Sequence, residues 1–231
     1  FRRVLFRSRI EKSVSDQAPL DDQSLALNIQ FYDPKQLLSS VNQSVSLPYF
    51  KVCQLFLDKS IDLCTKHYQI DAEKIQVVQE FNADGATLST SADQPHALEC
   101  LMMVGGVFQL LADVLYKRYR EDKRFALQTR GAVACAVDAM QLDAIEASKR
   151  LTQHLHAKEA ALHLNHDQLK EIQNNYELVA MPNPSNIMTR HAFMINGMNE
   201  ACATVAQNLR TEILMGKKAK PSAESIDIST P

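Results

Sequence analysis

Lys74-Ile75-Gln76-Val77-Val78-Gln79-Glu80-Phe81-Asn82-Ala83-Asp84-Gly85-Ala86-Thr87-Leu88-Ser89-Thr90 is the stretch that decides the fold. Residues 74–79 are rich in β-formers, Asp84-Gly85 is a tight hairpin signal, and residues 86–90 read as the returning strand. Upstream, Ser24 to Tyr32 alternates Leu25, Leu27, Ile29 and Phe31 with Ser24, Ala26, Asn28 and Gln30, the period of a strand. Asp33-Pro34 stops it, and Pro34 suits the first turn of a helix running through Val41. Residues 47–68 form a longer helix, with Phe50, Cys53, Leu57, Ile61 and Cys64 at helical spacing.

Downstream, Asp93-Gln94-Pro95 opens another helix, with Asp93 as its N-cap. Leu98, Leu101, Met102, Phe108, Leu111 and Leu115 make its apolar side, and Gly105-Gly106 lies inside it. Glycines there cost up to about 1 kcal/mol each relative to Ala, which points to close approach of another element. Residues 117–124 are charged and read as a solvated helix end rather than a phosphate site. Strands follow at 125–137, 160–164, 176–180 and 192–195, and helices at 142–155, 167–172 and 201–214. A strand, a helical crossover, a tight hairpin, a second helix and a fourth strand make the split βαβ, or ferredoxin-like, pattern. The expectation is an α+β fold: a mixed, largely antiparallel sheet with helices packed on one face.

The chain has 231 residues, 45% hydrophobic and 23% charged, with a formal charge of -2. That is ordinary globular composition, without the basic excess of a nucleic-acid binder. No run of about 18 consecutive apolar residues suggests a membrane span. Phe1-Arg2-Arg3-Val4-Leu5-Phe6-Arg7-Ser8 resembles one reading frame of a common sequencing adapter, residue for residue, and is set aside from the fold. The expectation is then that the natural N-terminus lies upstream, where a membrane anchor or sensor domain would sit. Residues 9–23 read as linker, 24–215 as the domain with its C-terminal helix, and 216–231 as a polar, disordered tail. The five cysteines are odd in number and widely spaced, without a CxxC pair, which points to a reduced, cytoplasmic setting. His154, His156, His163 and His166 have no further ligands at metal spacing. No GxSxG, P-loop or HExxH motif occurs.

A carboxylate at a hairpin tip beside the end of the first strand is where palm-type folds hold divalent cations. The hairpin offers Asp84; the first strand offers Asn28, with Asp33 further along. Magnesium favours one or two carboxylates plus substrate phosphates, so the single carboxylate is the weak point.

Over residues 24–182 the chain resembles a degenerate nucleotide cyclase homology domain of the universal, class III type. Phe81-Asn82-Ala83-Asp84-Gly85 is similar to the family's Ile-Gly-Asp-Gly turn, whose Asp binds metal. Leu25-Ala26-Leu27-Asn28-Ile29 is similar to its first strand, where Asn28 replaces the other metal Asp. Residues 142–151 are similar to its Gly-Asp-x-Val-Asn-x-Ala-x-Arg-Leu helix. The resemblance puts Asp143 on the purine-contacting acid and Arg150 on the transition-state arginine. It puts Glu80 on the purine-selecting position, where a carboxylate favours guanine. Glu146 stands where the family has the ribose-orienting Asn. The family's dimerisation arm is reduced to residues 137–141. Plainer roles stand beside these: Asp84 as a turn residue, Arg150 as half of a helix-face ion pair.

Losing one metal Asp and adding Glu146 near a polyanionic substrate both oppose cyclisation. The leading expectation is therefore an inactive cyclase-like domain, regulatory or dimerising, in a bacterial signalling protein. Its partner would be a second copy or a cyclase-like chain. Magnesium or manganese would enter only if purine nucleotide binding persists, and no other cofactor is expected. The second expectation is an active purine nucleotide cyclase using Asp84, Asp143 and Arg150. The third is a ferredoxin-like domain for a small ligand or a protein.

Overall fold

The computed structural model describes residues 24–121 and 125–216. The expected adapter-like segment, linker and polar tail beyond Gly216 lie outside the described residues, as do 122–124 of the charged connection. In chain order the elements are β1 (Ser24–Tyr32), α1 (Leu37–Ser40), α2 (Gln43–Tyr68), β2 (Gln76–Asn82), β3 (Gly85–Ser91) and α3 (Ala97–Glu121). Then come β4 (Gln128–Cys135), α4 (Ala144–Gln153), β5 (Ala160–His163), α5 (His166–Ile172), β6 (Tyr176–Ala180), β7 (Phe193–Met198) and α6 (Glu200–Met215). One seven-stranded sheet runs β2-β3-β1-β4-β5-β7-β6. Its first four strands are antiparallel neighbours, with β3 inserted between β1 and β2. This is the ferredoxin-like core the hairpin and crossover helix require. β5 adds parallel to β4, and β7 and β6 continue antiparallel.

The helices occupy both faces rather than the one expected. Leu25, Leu27, Ile29 and Phe31 of β1 belong to a core shared with α2, α3 and α6. The alternate face carries a smaller core in which Ala132 and Ala134 of β4 meet Ala147 and Leu151 of α4. Small side chains on that face let α4 lie close to the sheet. Ala26 and Asn28, which simple alternation would leave to solvent, are therefore fully buried.

Local chemistry explains the element ends. Asp33 accepts N–H bonds from Leu37 (2.8 Å) and Leu38 (2.7 Å), and Gln36 adopts φ 53°, so α1 begins three residues after Pro34. The side chain of Asn42 accepts from Ser44 N–H to start α2 four residues before the expected Leu47. Asp93 is not the cap of α3: it lies in a turn, and the helix begins at Ala97 after His96 at φ 62°. α3 is long and apolar enough to cross a membrane by length and composition, but much of its apolar surface packs inside the core. α6 packs against α3 and α2, burying Ala206 and Leu209. In place of a dimerisation arm, a 3-10 turn at Asp138–Met140 and a bridge between Val137 and Leu142 lead directly from β4 into α4.

Candidate functional site

The β2–β3 hairpin and the end of β1 are locked together by aromatic packing and one glycine. Phe31 lies 5.4 Å from Phe50 and 5.6 Å from Phe81, centroid to centroid. Gln54 of α2 accepts the Phe81 N–H at 2.8 Å. Gly85 adopts φ 91°, and any Cβ there would collide with the carbonyl oxygen of Ile29. Only glycine satisfies both demands, and so Asp84 is held next to β1. Asp84 is exposed at the tip, its N–H accepted by Asn82 Oδ1 at 2.7 Å.

Between this tip and α4 lies a polar cleft of about 460 Å³. Asp84, Glu146, Lys149, Arg130, Gln30 and Gln79 contribute to its lining. Lys149 donates to Gln79 Oε1 at 3.3 Å, and Gln79 Nε2 donates to Gly85 O at 3.0 Å, tying α4 to the hairpin. Arg130 donates to Leu155 O (2.6 Å), Gln153 O (3.3 Å) and Gln30 Oε1 (3.4 Å), and its guanidinium sits 5.6 Å from the Tyr32 ring centre. It forms no ion pair with a carboxylate among the described residues. Burial lowers its pKa from the ordinary arginine value, although a guanidinium keeps its charge at any ordinary pH.

The other residues singled out in the sequence fall outside this lining. Asn28 is fully buried behind it. Its Nδ2 donates to Ala86 O at 3.2 Å and Thr87 Oγ1 at 3.0 Å, while Oδ1 is buried with no partner among the described residues. Asp143 is the N-cap of α4, accepting Glu146 N–H at 2.8 Å. Arg150 is exposed and pairs with Glu146 on the same helix at 2.8 Å. Glu80 is exposed on β2; its neighbour Gln79, set between two register irregularities, lines the cleft instead. Asp33 caps α1, so both of its carboxylate oxygens are occupied.

Sequence reasoning passed over Arg130 and Lys149. The signal for Arg130 was a lone charge inside a strand of Val, Ala, Leu and Cys; Lys149 stood one residue from the arginine that drew attention. As a donor set for a pair of divalent cations the cleft does not fit. One free carboxylate, Asp84, faces it; Glu146 is engaged by Arg150; and Asn28, the residue that the sequence suggested as the second ligand, is a neutral amide sealed in the sheet. Among the described residues no three His, Cys, Asp or Glu side chains converge as a metal site.

Solved structures give the fold its class. The adenylyl cyclase CyaB from P. aeruginosa matches over 77% of this chain and 96% of its own, with a TM-score of 0.52 and 10% identity. The dimeric guanylyl cyclase domain of the RhoGC fusion protein from the aquatic fungus Blastocladiella emersonii matches at a TM-score of 0.53 and 10% identity, over 77% and 98% of the two chains. The guanylate cyclase domain of RhGC from Catenaria anguillulae, solved with GTP, matches at 0.52 and 10% over the same shares. This chain has the fold of nucleotide cyclase domains. No family model matches its sequence, and no curated protein matches it.

Proposed function

We propose that this chain is a catalytically inactive nucleotide cyclase-like domain that serves as a regulatory or dimerising module of a bacterial, cytoplasmic signalling protein. One observation carries the reading: Asn28, which the resemblance puts at the metal-ligand position, is fully buried, with its Nδ2 donating to Ala86 O and Thr87 Oγ1 inside the sheet. A neutral, buried side chain with its donor engaged supplies no charge to a cation. The ion pair of Arg150 with Glu146 supports the same reading, since both ends of that pair are on one helix. An engaged guanidinium beside a carboxylate is a weak stabiliser of pyrophosphate charge. A domain that has lost its chemistry can keep the pairing role that the resemblance implies, with a second copy or a cyclase-like chain as partner.

Arg130 and Lys149 favour one addition. Two cations in a polar cleft suit an anionic ligand even without turnover, so purine nucleotide binding is retained or lost independently of catalysis. The test is incubation of the full chain with millimolar GTP or ATP and either magnesium or manganese, followed by measurement of cyclic product. Mass in solution is measured in parallel. The expected result is no cyclic nucleotide above the no-protein control and a mass of two chains. Metal-dependent cyclic product would overturn inactivity, and a strictly monomeric mass at high concentration would overturn self-pairing.

A further inference from the structure

A second cavity lies on the opposite side of the sheet from the cleft, with Arg130 the one residue common to both linings. It holds about 290 Å³ between α3, α6 and the strands β1, β4, β5 and β7. Its origin is legible in the residues. Gly131 and Ala160 are register partners on the neighbouring parallel strands β4 and β5, so the sheet floor has two adjacent small positions. Gly105 and Gly106 contribute from the middle of α3, set against Leu27 and Met198, and Ala203 and Ala206 contribute from α6. Beside large lining residues such as Met102, Phe108 and Ile29, the sheet, α3 and α6 each place small residues where large ones would otherwise interdigitate. Protein interiors are otherwise close-packed, with few voids larger than a water molecule.

The space reaches solvent. Gly105, Gly106, Gly131 and Ala160 are partly exposed, whereas their chain neighbours Val104, Val107, Ala132 and Ala161 are buried. The positions at the centre of the helix–sheet contact are thus the accessible ones. Arg130 is the single charged residue of the lining, and its guanidinium is bonded to Leu155 O, Gln153 O and Gln30 on the α4 face. The interior therefore offers an ionic group nothing to pair with. At the rim, Gln109 accepts from Thr129 Oγ1 at 3.0 Å through Oε1, which leaves its amide N–H groups as donors; exposed Gln207 stands across from it on α6.

We infer that this cavity is a binding site for a small, neutral, largely apolar molecule carrying one hydrogen-bond acceptor, seated between α3, α6 and the sheet with its polar end at Gln109. The volume suits a bicyclic aromatic: it is near the lower bound of about 300–1,000 Å³ for small-molecule sites. It is about twice the engineered cavity of about 150 Å³ that admits benzene. The site is separate from the nucleotide cleft, and its occupancy neither requires nor excludes the reading above.

The test uses prodan, a neutral naphthyl ketone whose emission moves to the blue in apolar surroundings, titrated into the full chain. The expected result is saturable, blue-shifted emission. Ala203→Leu, which fills the cavity, should weaken binding at least tenfold, while Ala201→Leu, at an exposed position of the same helix, should leave it unchanged. Methyl NMR of the unaltered chain keeps the test decisive if Ala203→Leu does not fold. Prodan should shift Met102 and Met198, which line the cavity, and leave Met181 and Met188 of the other core in place. Unshifted emission, equal affinity in folded Ala203→Leu, or shifts confined to Met181 and Met188 would each overturn the proposal.

Discussion

Asn28→Asp restores the acid that the cyclase resemblance calls for, and the structure predicts that it destabilises the domain in a pH-dependent way. Asn28 is fully buried, and its Nδ2 donates to Ala86 O and Thr87 Oγ1. A protonated aspartic acid keeps one donor for these two acceptors, so one bond is lost, about 1 kcal/mol. Ionisation is far worse, because it would place a carboxylate against the Ala86 carbonyl oxygen at a fully buried position. The folded-state pKa therefore rises well above the unfolded value of about 3.9, as burial without a compensating charge dictates. The unfolded chain then releases its proton first as pH increases. Destabilisation starts small near pH 4 and grows by about 1.4 kcal/mol per unit until the folded pKa is reached. If the acid is still protonated at pH 7, three units give about 4 kcal/mol, and with the lost bond about 5 kcal/mol in all. For a domain of this size that lowers the melting temperature by roughly 10–20 °C. Urea denaturation of both forms between pH 4 and pH 7, with and without millimolar manganese, measures it. Equal stability at pH 7, or full recovery of the variant on adding manganese, would refute the reasoning, since either would mean that position 28 faces the cleft and a cation. No cyclic nucleotide is expected from the variant.

Three further outcomes follow from single features. Gly85→Ala, with φ 91° and the Ile29 carbonyl in its way, should cost at least about 3 kcal/mol of unfolding free energy by chemical denaturation, beyond the usual range for point mutants. His163 is buried with Nδ1 unpaired among the described residues, and burial pushes its pKa below the ordinary value. The unfolded state therefore binds the proton more readily, so stability should fall as pH drops below about 6.5; in His163→Phe the loss between pH 7.5 and 5.5 should be smaller. Glu146→Gln removes an ion pair whose ends are both nearly half exposed; its midpoint in urea should move by less than about 0.5 kcal/mol equivalent, while cleft affinity for GTP, where present, should rise as a negative charge leaves.

Strong local patterns were legible in the sequence, and long-range ones were less so. Ser24–Tyr32 and Tyr176–Ala180 were bounded correctly because alternation and turn residues frame them on both sides. The hairpin was legible because Asp84-Gly85 is a turn chemistry with few alternatives. α2 begins earlier than its apolar stripe because an Asn42 cap, not hydrophobicity, starts it. Asp93 looked like a cap by type and position, but His96 in a left-handed conformation delays α3 to Ala97. That α4 lies alone on the second face was hidden, since periodicity tells which side of a helix is apolar and not which side of a sheet receives it. In the site, Asp84 was found by its turn, whereas Arg130 needed the sheet: only register places it beside Gln30 and across from Asp84 and Lys149. Glu80 and Asp143 matched a motif by spacing, yet a bulged strand and a helix cap govern where their side chains go in the single chain.

The place of β1 bears on how the chain comes to be folded. It is the first strand in sequence among the described residues, yet it lies inside the sheet, paired with β3 on one side and β4 on the other. Its apolar row, Leu25 to Phe31, has no strand partner until residues 85–91 have been made, and no second one until residues 128–135 arrive. Contacts this distant along the chain slow folding, because loops must close before pairing rewards them. During synthesis α2 and α3 can cover this row before β4 is made, but one edge of β1 stays unpaired until then, so truncation anywhere before β4 leaves an open strand edge.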